Sequence, residues 1–349
     1  MASSKFNKVQ VALQSAFGTP IGATSMTTVL PYKGTYEDKR YRHEAEWDAG
    51  TWTPTNIVAE VATEVAMTLE GTAFFELIPV FLNSGFADVT PSGSSIHTYW
   101  VNPAAVAVPL PLTALLGTVG TNIGGTGPAV QLSDLYLKTL TLSANINDKV
   151  VQVKGEFFGT TYSDNSGAGF AFDTTGCALP ATMEMINGLK GVISYKDSTV
   201  TGATGGAPLE SLTPFACSII DWELVIDTGI EPAWCTTNNV LTWAALKYTQ
   251  PSCEFKPVVR TDATTYAAVK GKAEAETYQD VQLQLSGSSA ARSLSINMTG
   301  LWDVVPTAHD EQDGEVVMKP TFRCKTPHTM TTTPHWLTII NTSTHAWSA

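Results

Sequence analysis

The side chains able to do chemistry are scattered along this chain rather than gathered into a motif. Six histidines are present: His43, His97, His309, His328, His335 and His345. Three fall near the C-terminus at spacings of seven and ten, which is not the three-or-four spacing that puts two metal ligands on one helical face. The five cysteines, Cys177, Cys217, Cys235, Cys253 and Cys324, are odd in number and contain no C-x-x-C pair. They read as reduced thiols of a cytosolic setting, not as a disulfide framework or a zinc site. The acidic run Asp310-Glu311-Gln312-Asp313-Gly314 lacks the alternating oxygen ligands of a calcium loop and reads as a hairpin turn. There is no G-x-S-x-G elbow, no phosphate-binding G-x-x-x-x-G-K-[ST] loop, no G-x-G-x-x-G and no H-E-x-x-H. No catalytic residue, cofactor or metal site is therefore assigned, and the chain is not read as an enzyme.

Charge carries more information. Lys39-Arg40-Tyr41-Arg42 resembles a basic patch with an aromatic for stacking. It lies within residues 33–55, where Glu37, Asp38, Glu44, Glu46 and Asp48 outnumber Lys33, Lys39, Arg40 and Arg42. A solvated or partner-contacting loop is expected there, not a phosphate site. The whole chain has a net charge of −12, so it lacks the counterion-release attraction that drives nucleic-acid binding. An acidic wall would instead suit a conduit that DNA must pass without sticking, while solubility is the plainer reading. Charged residues make up only 15% of the 349, against a usual ~25%. Either neutral Thr, Ser and Gly serve as the surface, or neighbouring subunits cover much of it.

The elements that must position these groups are mainly strands. In residues 60–70 (EVATEVAMTLE), Val61, Val65, Met67 and Leu69 share one face and Glu60, Glu64 and Glu70 the other. Residues 74–82 then follow helical spacing, with Thr72 as N-cap, Gly85 as stop, and Pro79 expected to kink or divide the helix. A strand is expected at 97–101. Residues 135–146 and 149–158 form a hairpin turning at Asn147-Asp148, residue types that tolerate positive φ. In IIDWELVID, residues 219–227, Trp222, Leu224 and Ile226 oppose Asp221, Glu223 and Asp227. Further strands are expected at 253–259, 282–285, 293–298 and 316–323, with a helix over 263–272 capped by Asp262.

The two halves follow a similar order. Residues 1–180 carry 9 basic and 15 acidic residues and residues 181–349 carry 11 and 17, a charge of −6 each. Order and charge suggest two tandem modules, 1–180 and 181–349, made by duplication. Residues 102–128 are apolar and rich in Pro and Gly, and 199–208 read as a flexible loop. Residues 326–349 form a Thr/His/Trp tail without periodicity. Residues 1–13 hold no apolar signal core, and the longest apolar run, 104–117, is too short to span a membrane and is broken by Pro109 and Pro111. The chain is expected to be neither exported by a signal peptide nor embedded in a membrane.

Several stretches together resemble the tail tube proteins (major tail proteins) of long-tailed bacteriophages. They are the opening VQVALQSAFGTPIGAT at 9–24, Glu46-Trp47-Asp48-Ala49-Gly50, and EGTAFFELIP at 70–79. Further along come Leu212-Thr213-Pro214-Phe215, the strand to Asp227 with Thr228-Gly229-Ile230-Glu231-Pro232, and residues 292–298. The motifs are structural, and their order spans most of the chain. The resemblance implies packed β-sheets with a flanking helix, subunits that close into rings, and rings stacked into a tube that delivers DNA to the host. It also implies tape measure and tail terminator or tip proteins as partners, a place in the virion after assembly in the host cytoplasm, and no specific hold on the DNA. Two modules per chain imply a trimeric ring with pseudo-sixfold symmetry, a hexamer being the alternative.

On that resemblance Glu60, Glu64, Glu70, Asp221, Glu223 and Asp227 are expected to line the lumen. Long loops and arms join rings in the family. Arg40, Trp47, Val106, Val108, Leu110, Leu112, Leu115, Leu116, Trp336 and Trp347 are therefore expected at contacts between subunits or rings. For the apolar segment, the plainer reading is that it folds back over its own core. The competing reading of the whole chain is a β-rich virion surface or adhesion module that binds carbohydrate, with Trp47, Trp52, Trp100 and Trp222 as stacking platforms.

Overall fold

The computed structural model describes residues 8–22, 25–47, 55–88, 96–100, 108–117, 129–145, 147–164, 179–197, 212–215, 219–234, 242–262, 266–303, 310–312, 315–325 and 336–342, with the side chains of residues 8, 43–47, 55–61 and 164 left out. The fold is mainly β. Strands β1 (Lys8–Leu13), β2 (Thr28–Leu30), β3 (Lys33–Trp47) and β4 (Thr55–Thr72) precede helix α1 (Ile78–Gly85). Then come β5 (Ala87–Asp88), β6 (Ile96–Trp100), β7 (Leu112–Gly117), β8 (Ala129–Ala144), β9 (Val151–Gly159), β10 (Thr161–Asp164), β11 (Gly191–Asp197) and β12 (Thr213–Pro214). The rest are β13 (Ile219–Asp227), β14 (Ile230–Ala233), β15 (Ala245–Tyr248), β16 (Ser252–Arg260), β17 (Gln279–Ser286) and β18 (Ser293–Trp302). The last four are β19 (Asp310–Gln312), β20 (Glu315–Met318), β21 (Phe322–Cys324) and β22 (Leu337–Thr342).

Antiparallel pairing joins most of them into three connected layers, while β14 and β15 form a separate two-stranded sheet. The first runs β3–β4–β9–β8–β13–β16 and continues to β21. The second runs β5–β6–β22–β18–β17–β11–β12. β21 pairs with β16 on one side and with the end of β18 on the other, so it links the two. The third, β2–β1–β7–β8–β10, uses the first part of β8. Strands from both sides of position 180 lie side by side, β8 with β13 and β6 with β22, and one apolar cluster contains residues from both.

Period two explains the first layer. Val65, Met67, Leu69, Val153, Phe157, Leu140, Leu142, Leu224, Ile226 and Phe255 all turn to one side and are buried. α1 packs on that side. Gly155 of β9 lies under Phe81 so closely that a Cβ there would sit 2.6 Å from two ring carbons. Pro79 does not kink the helix. It occupies the first turn, where a missing N–H costs nothing, and the helix begins at Ile78 after Thr72 has ended β4.

Other expectations are corrected. Residues 33–47 are strand rather than loop, because β3 pairs with β4 throughout, with Lys33 and Lys39 placed opposite Glu70 and Glu64. The segment 112–117 is also strand. β7 is buried on both faces between β1 and β8, so its apolar side chains fill this chain's own core. The segment 326–349 contains β22, a central strand of the second layer. The strand expected at 316–323 divides into β20 and β21 around Lys319-Pro320. The 135–158 hairpin is present, but the positive φ falls on Lys149 (59°) because its N–H reaches back to the Asn145 carbonyl at 3.0 Å in a wider turn. The second helix is a π turn, Ala267–Gly271, followed by Lys272–Glu274. Gly271 does not end it; Glu276, at φ 47°, lies just beyond. No helix among the described residues is long and apolar enough to cross a membrane.

Candidate functional site: the polar face of the first layer

The acidic side chains expected to act together do share a surface. Register carries one row straight across seven strands: Lys33, Glu70, Lys154, Thr141, Val225, Glu254 and Arg323. A second row runs Thr35, Thr68, Glu156, Thr139, Asp227 and Ser252. A third holds Thr72, Gln152, Ser143, Glu223 and Lys256. Thus Glu64, Glu70, Asp221, Glu223 and Asp227 lie on one face of one sheet, although β4 and β13 are distant in sequence and have β9 and β8 between them in space. Glu60 is on β4, but its side chain is outside the described residues.

Among the described residues nothing covers that face. None of the residues in these rows is buried, whereas the residues between them, Gly71 apart, are. The face is also hollowed. Two depressions of about 430 and 540 Å³ open on it and share Ser143 and Gln152.

Its electrostatics differ from a purely acidic wall. Leaving aside Arg260 at the end of β16, which is paired with Glu315, eight carboxylates (Glu37, Glu64, Glu70, Glu156, Asp221, Glu223, Asp227, Glu254) are interleaved with five cations (Lys33, Lys39, Lys154, Lys256, Arg323), a balance of −3. Lys39 Nζ lies 3.7 Å from Glu64 Oε1, and Lys154 Nζ 2.5 Å from Glu156 Oε1. Lys256 Nζ and Arg323 Nε lie 3.0 and 3.3 Å from the Glu254 carboxylate. The hydrogen bond from Lys256 chiefly holds the Glu254 carboxyl below its usual range, aided by Arg323. Asp221 accepts from the Gln312 amide, and Asp227 accepts from Gly229 N at 2.9 Å. Opposite charges placed directly across strands contribute ~0.2–1 kcal/mol each, so the ladder stabilises its own register. The cations were not assigned from sequence, yet the alternation in VQVKGEFFG and SCEFKPVVR already places Lys154 and Lys256 opposite the apolar side chains.

The residues expected at contacts separate into groups. Leu112, Leu115 and Leu116 are fully buried within the chain, and Leu110 and Trp336 pack partly buried against its core, so none of the three β7 leucines is available to a neighbour. Val108 is 64% exposed and remains available. Arg40 is exposed, donates to Asp38 Oδ2 at 2.7 Å, and stands 5.8 Å from the centre of the Tyr162 ring. The side chain of Trp47, and Val106 and Trp347 entirely, lie outside the described residues.

Of the tryptophans named as sugar platforms, Trp222 is buried in the core and Trp100 is half-buried; Trp52 and the Trp47 side chain are outside the described residues. An exposed aromatic pair that sequence did not single out is Tyr41 with Trp234, edge to face at 6.2 Å. Among the described residues no three His, Cys, Asp or Glu side chains gather as a metal site. Elsewhere, buried Glu76 accepts from Arg292 Nε at 2.5 Å and from Glu184 N at 3.0 Å, tying the approach to α1 to the β17–β18 turn. No protein-family model matches the chain, and no curated protein matches it.

Proposed function

We propose that this chain is a structural subunit of a phage tail tube, stacking as rings into a conduit for DNA delivery. The observation that carries the reading is the polar face: seven strands wide, hollowed, uncovered by any of the described residues, and backed by a continuous apolar core. A wall of a water-filled channel needs that arrangement. Its interleaved charges suit passage. A balance of −3 per chain repels a phosphate backbone mildly, and three of the four lysines, Lys39, Lys154 and Lys256, are engaged by carboxylates, leaving less for phosphate to replace. Among the described residues β3 pairs only with β4, so its other edge is open to a strand from a second copy. Extension of the first layer at that edge would carry the polar face around a ring.

In this reading three chains close a pseudo-sixfold ring, or six a true one, by a heterologous contact. Tape measure and terminator or tip proteins cap the tube, and the assembled product resides in the virion. Electron microscopy of the purified protein tests it. Rings or tubes are expected; single monodisperse particles at high concentration would refute it. Native mass spectrometry of the rings then separates three chains from six. The carbohydrate-binding alternative is favoured by one observation, the exposed Tyr41–Trp234 pair, and would require saturable sugar binding lost in Trp234→Ala.

A further inference from the structure

β16 and β21 are in register as Glu254 opposite Arg323 and Phe255 opposite Phe322. One step further along the same antiparallel ladder sets Cys253 opposite Cys324. Both are free thiols, Cys253 buried and Cys324 half-buried. The two share a hydrogen bond, and burial, ahead of that bond, holds the Cys324 thiol well above its usual range. Directly opposed residues of an antiparallel pair have Cα atoms ~4.5–5.5 Å apart. That lies within the ~4.4–6.8 Å that a disulfide spans, so closure needs little backbone movement.

The position in the fold gives the pair a consequence. β21 is three residues long and is hydrogen-bonded to both main layers, with Cys324 itself opposite Gly300 of β18. We propose that Cys253 and Cys324 are a modification site, an oxidisable cross-strand pair that a peroxide-class oxidant closes to a disulfide, stapling the polar-faced layer to the second layer at β21. The Cys324 sulfur, on the less buried residue of the two, attacks the peroxide, giving a sulfenic acid and one water. The Cys253 thiol then displaces the hydroxyl, the S–S bond forms, and a second water leaves. Peroxide is reduced by two electrons and the two thiols are oxidised by two. The thiolate is the nucleophile, so the raised Cys324 thiol makes closure slow at neutral pH and faster as pH rises. The chain would therefore fold and assemble as the dithiol and be stapled later, under oxidising conditions. The staple closes a loop of about 70 residues, a length at which cross-linking constrains the unfolded chain strongly. The inference is independent of the assembly proposed above.

The full chain would be treated with hydrogen peroxide, blocked with N-ethylmaleimide, digested without reduction and mapped by mass spectrometry. The expected product is a linked peptide pair containing Cys253 and Cys324, lighter than the two thiol peptides by two hydrogens and separated by dithiothreitol. Oxidation should also raise the thermal midpoint by several degrees in the natural chain and in Cys177→Ser/Cys217→Ser/Cys235→Ser, and leave Cys324→Ser unchanged. Recovery of Cys253 and Cys324 as separate maleimide adducts, as over-oxidised acids, or linked to other cysteines would overturn the proposal. The peptide map of the natural chain decides even if Cys324→Ser fails to fold.

Discussion

Adding one methyl group at Gly155 should push α1 off the first layer. Gly155 faces Leu69 and Leu140 across its two ladders, on the buried side of β9. A Cβ there would lie 2.6 Å from Phe81 Cδ1 and Cε1 and 2.9 Å from Phe157 Cε2. Phe81 is fully buried and backed by Tyr32 at 5.5 Å and Phe157 at 5.9 Å between ring centres, so its ring has nowhere to turn. Overpacking of this kind costs about 1–3 kcal/mol. Phe81→Ala removes the clash and leaves a cavity, at about 3–5 kcal/mol. In the double variant the new methyl enters vacated space, and Ala also restricts the unfolded chain more than Gly. Gly155→Ala should then be neutral or stabilising, giving a coupling of about 1–3 kcal/mol between the two sites. Urea unfolding of the four proteins, followed by tryptophan fluorescence, measures it. Costs that add within about 0.5 kcal/mol would mean that α1 does not rest on Gly155, and the assignment of the buried and open faces would lose its main support.

Arg292→Met removes the charge partner of wholly buried Glu76 and should lower the urea midpoint clearly, whereas Lys154→Met, at the exposed Glu156 pair, should change stability by less than about 1 kcal/mol. The Ser288 hydroxyl is the leading cause that holds Glu184 below its ordinary 4.5. A depressed carboxyl contributes stability above its unfolded pKa and loses it as pH falls through the folded value. The stability gap between the natural chain and Ser288→Ala should therefore be steady at neutral pH and close in an acid titration below 4.5; a gap unchanged into strong acid would contradict this. Deleting residues 109–117 should yield an unfolded chain by circular dichroism, because β7 is hydrogen-bonded on both edges; a folded monomer would restore the view of this segment as an assembly loop. Glu64→Lys with Glu223→Lys should take the face from −3 to +1 and set Lys against Lys39 and Lys256, leaving tubes intact but slowing DNA release most at low salt, where screening is weakest; release at the normal rate would count against a lumenal face.

Alternation was legible wherever one face of a strand is apolar. β13 has the expected bounds, and β4 and β13 show the expected faces, because burial of Leu69 and Leu224 enforces period two. The carboxylates of the face could be assigned for the same reason. β3 was not legible. Its Lys33, Glu37 and Lys39 resemble a solvated loop until register supplies Glu70, Ala66 and Glu64 across the ladder. β7 failed in the opposite direction: Leu112, Leu115 and Leu116 are apolar on both faces, and periodicity cannot distinguish a strand buried between two neighbours from an unpaired apolar loop. β22 escaped because Asn341 and Thr338 are buried polar residues in a sheet covered on both sides, where no apolar alternation is required. The charge balance of the face was hidden for a topological reason. Lys154 and Lys256 belong to strands brought beside Glu70 and Glu223 only by pairings distant in sequence.

A three-dimensional reconstruction of the assembled protein tests the central claim most directly. The account predicts a tube whose channel wall is the first layer, with Glu64, Glu70, Lys154, Glu223 and Lys256 facing the lumen and α1 on the far side of the sheet. A tube with that face on its outer surface, or a protein that stays monomeric with the face in open solvent, would contradict it.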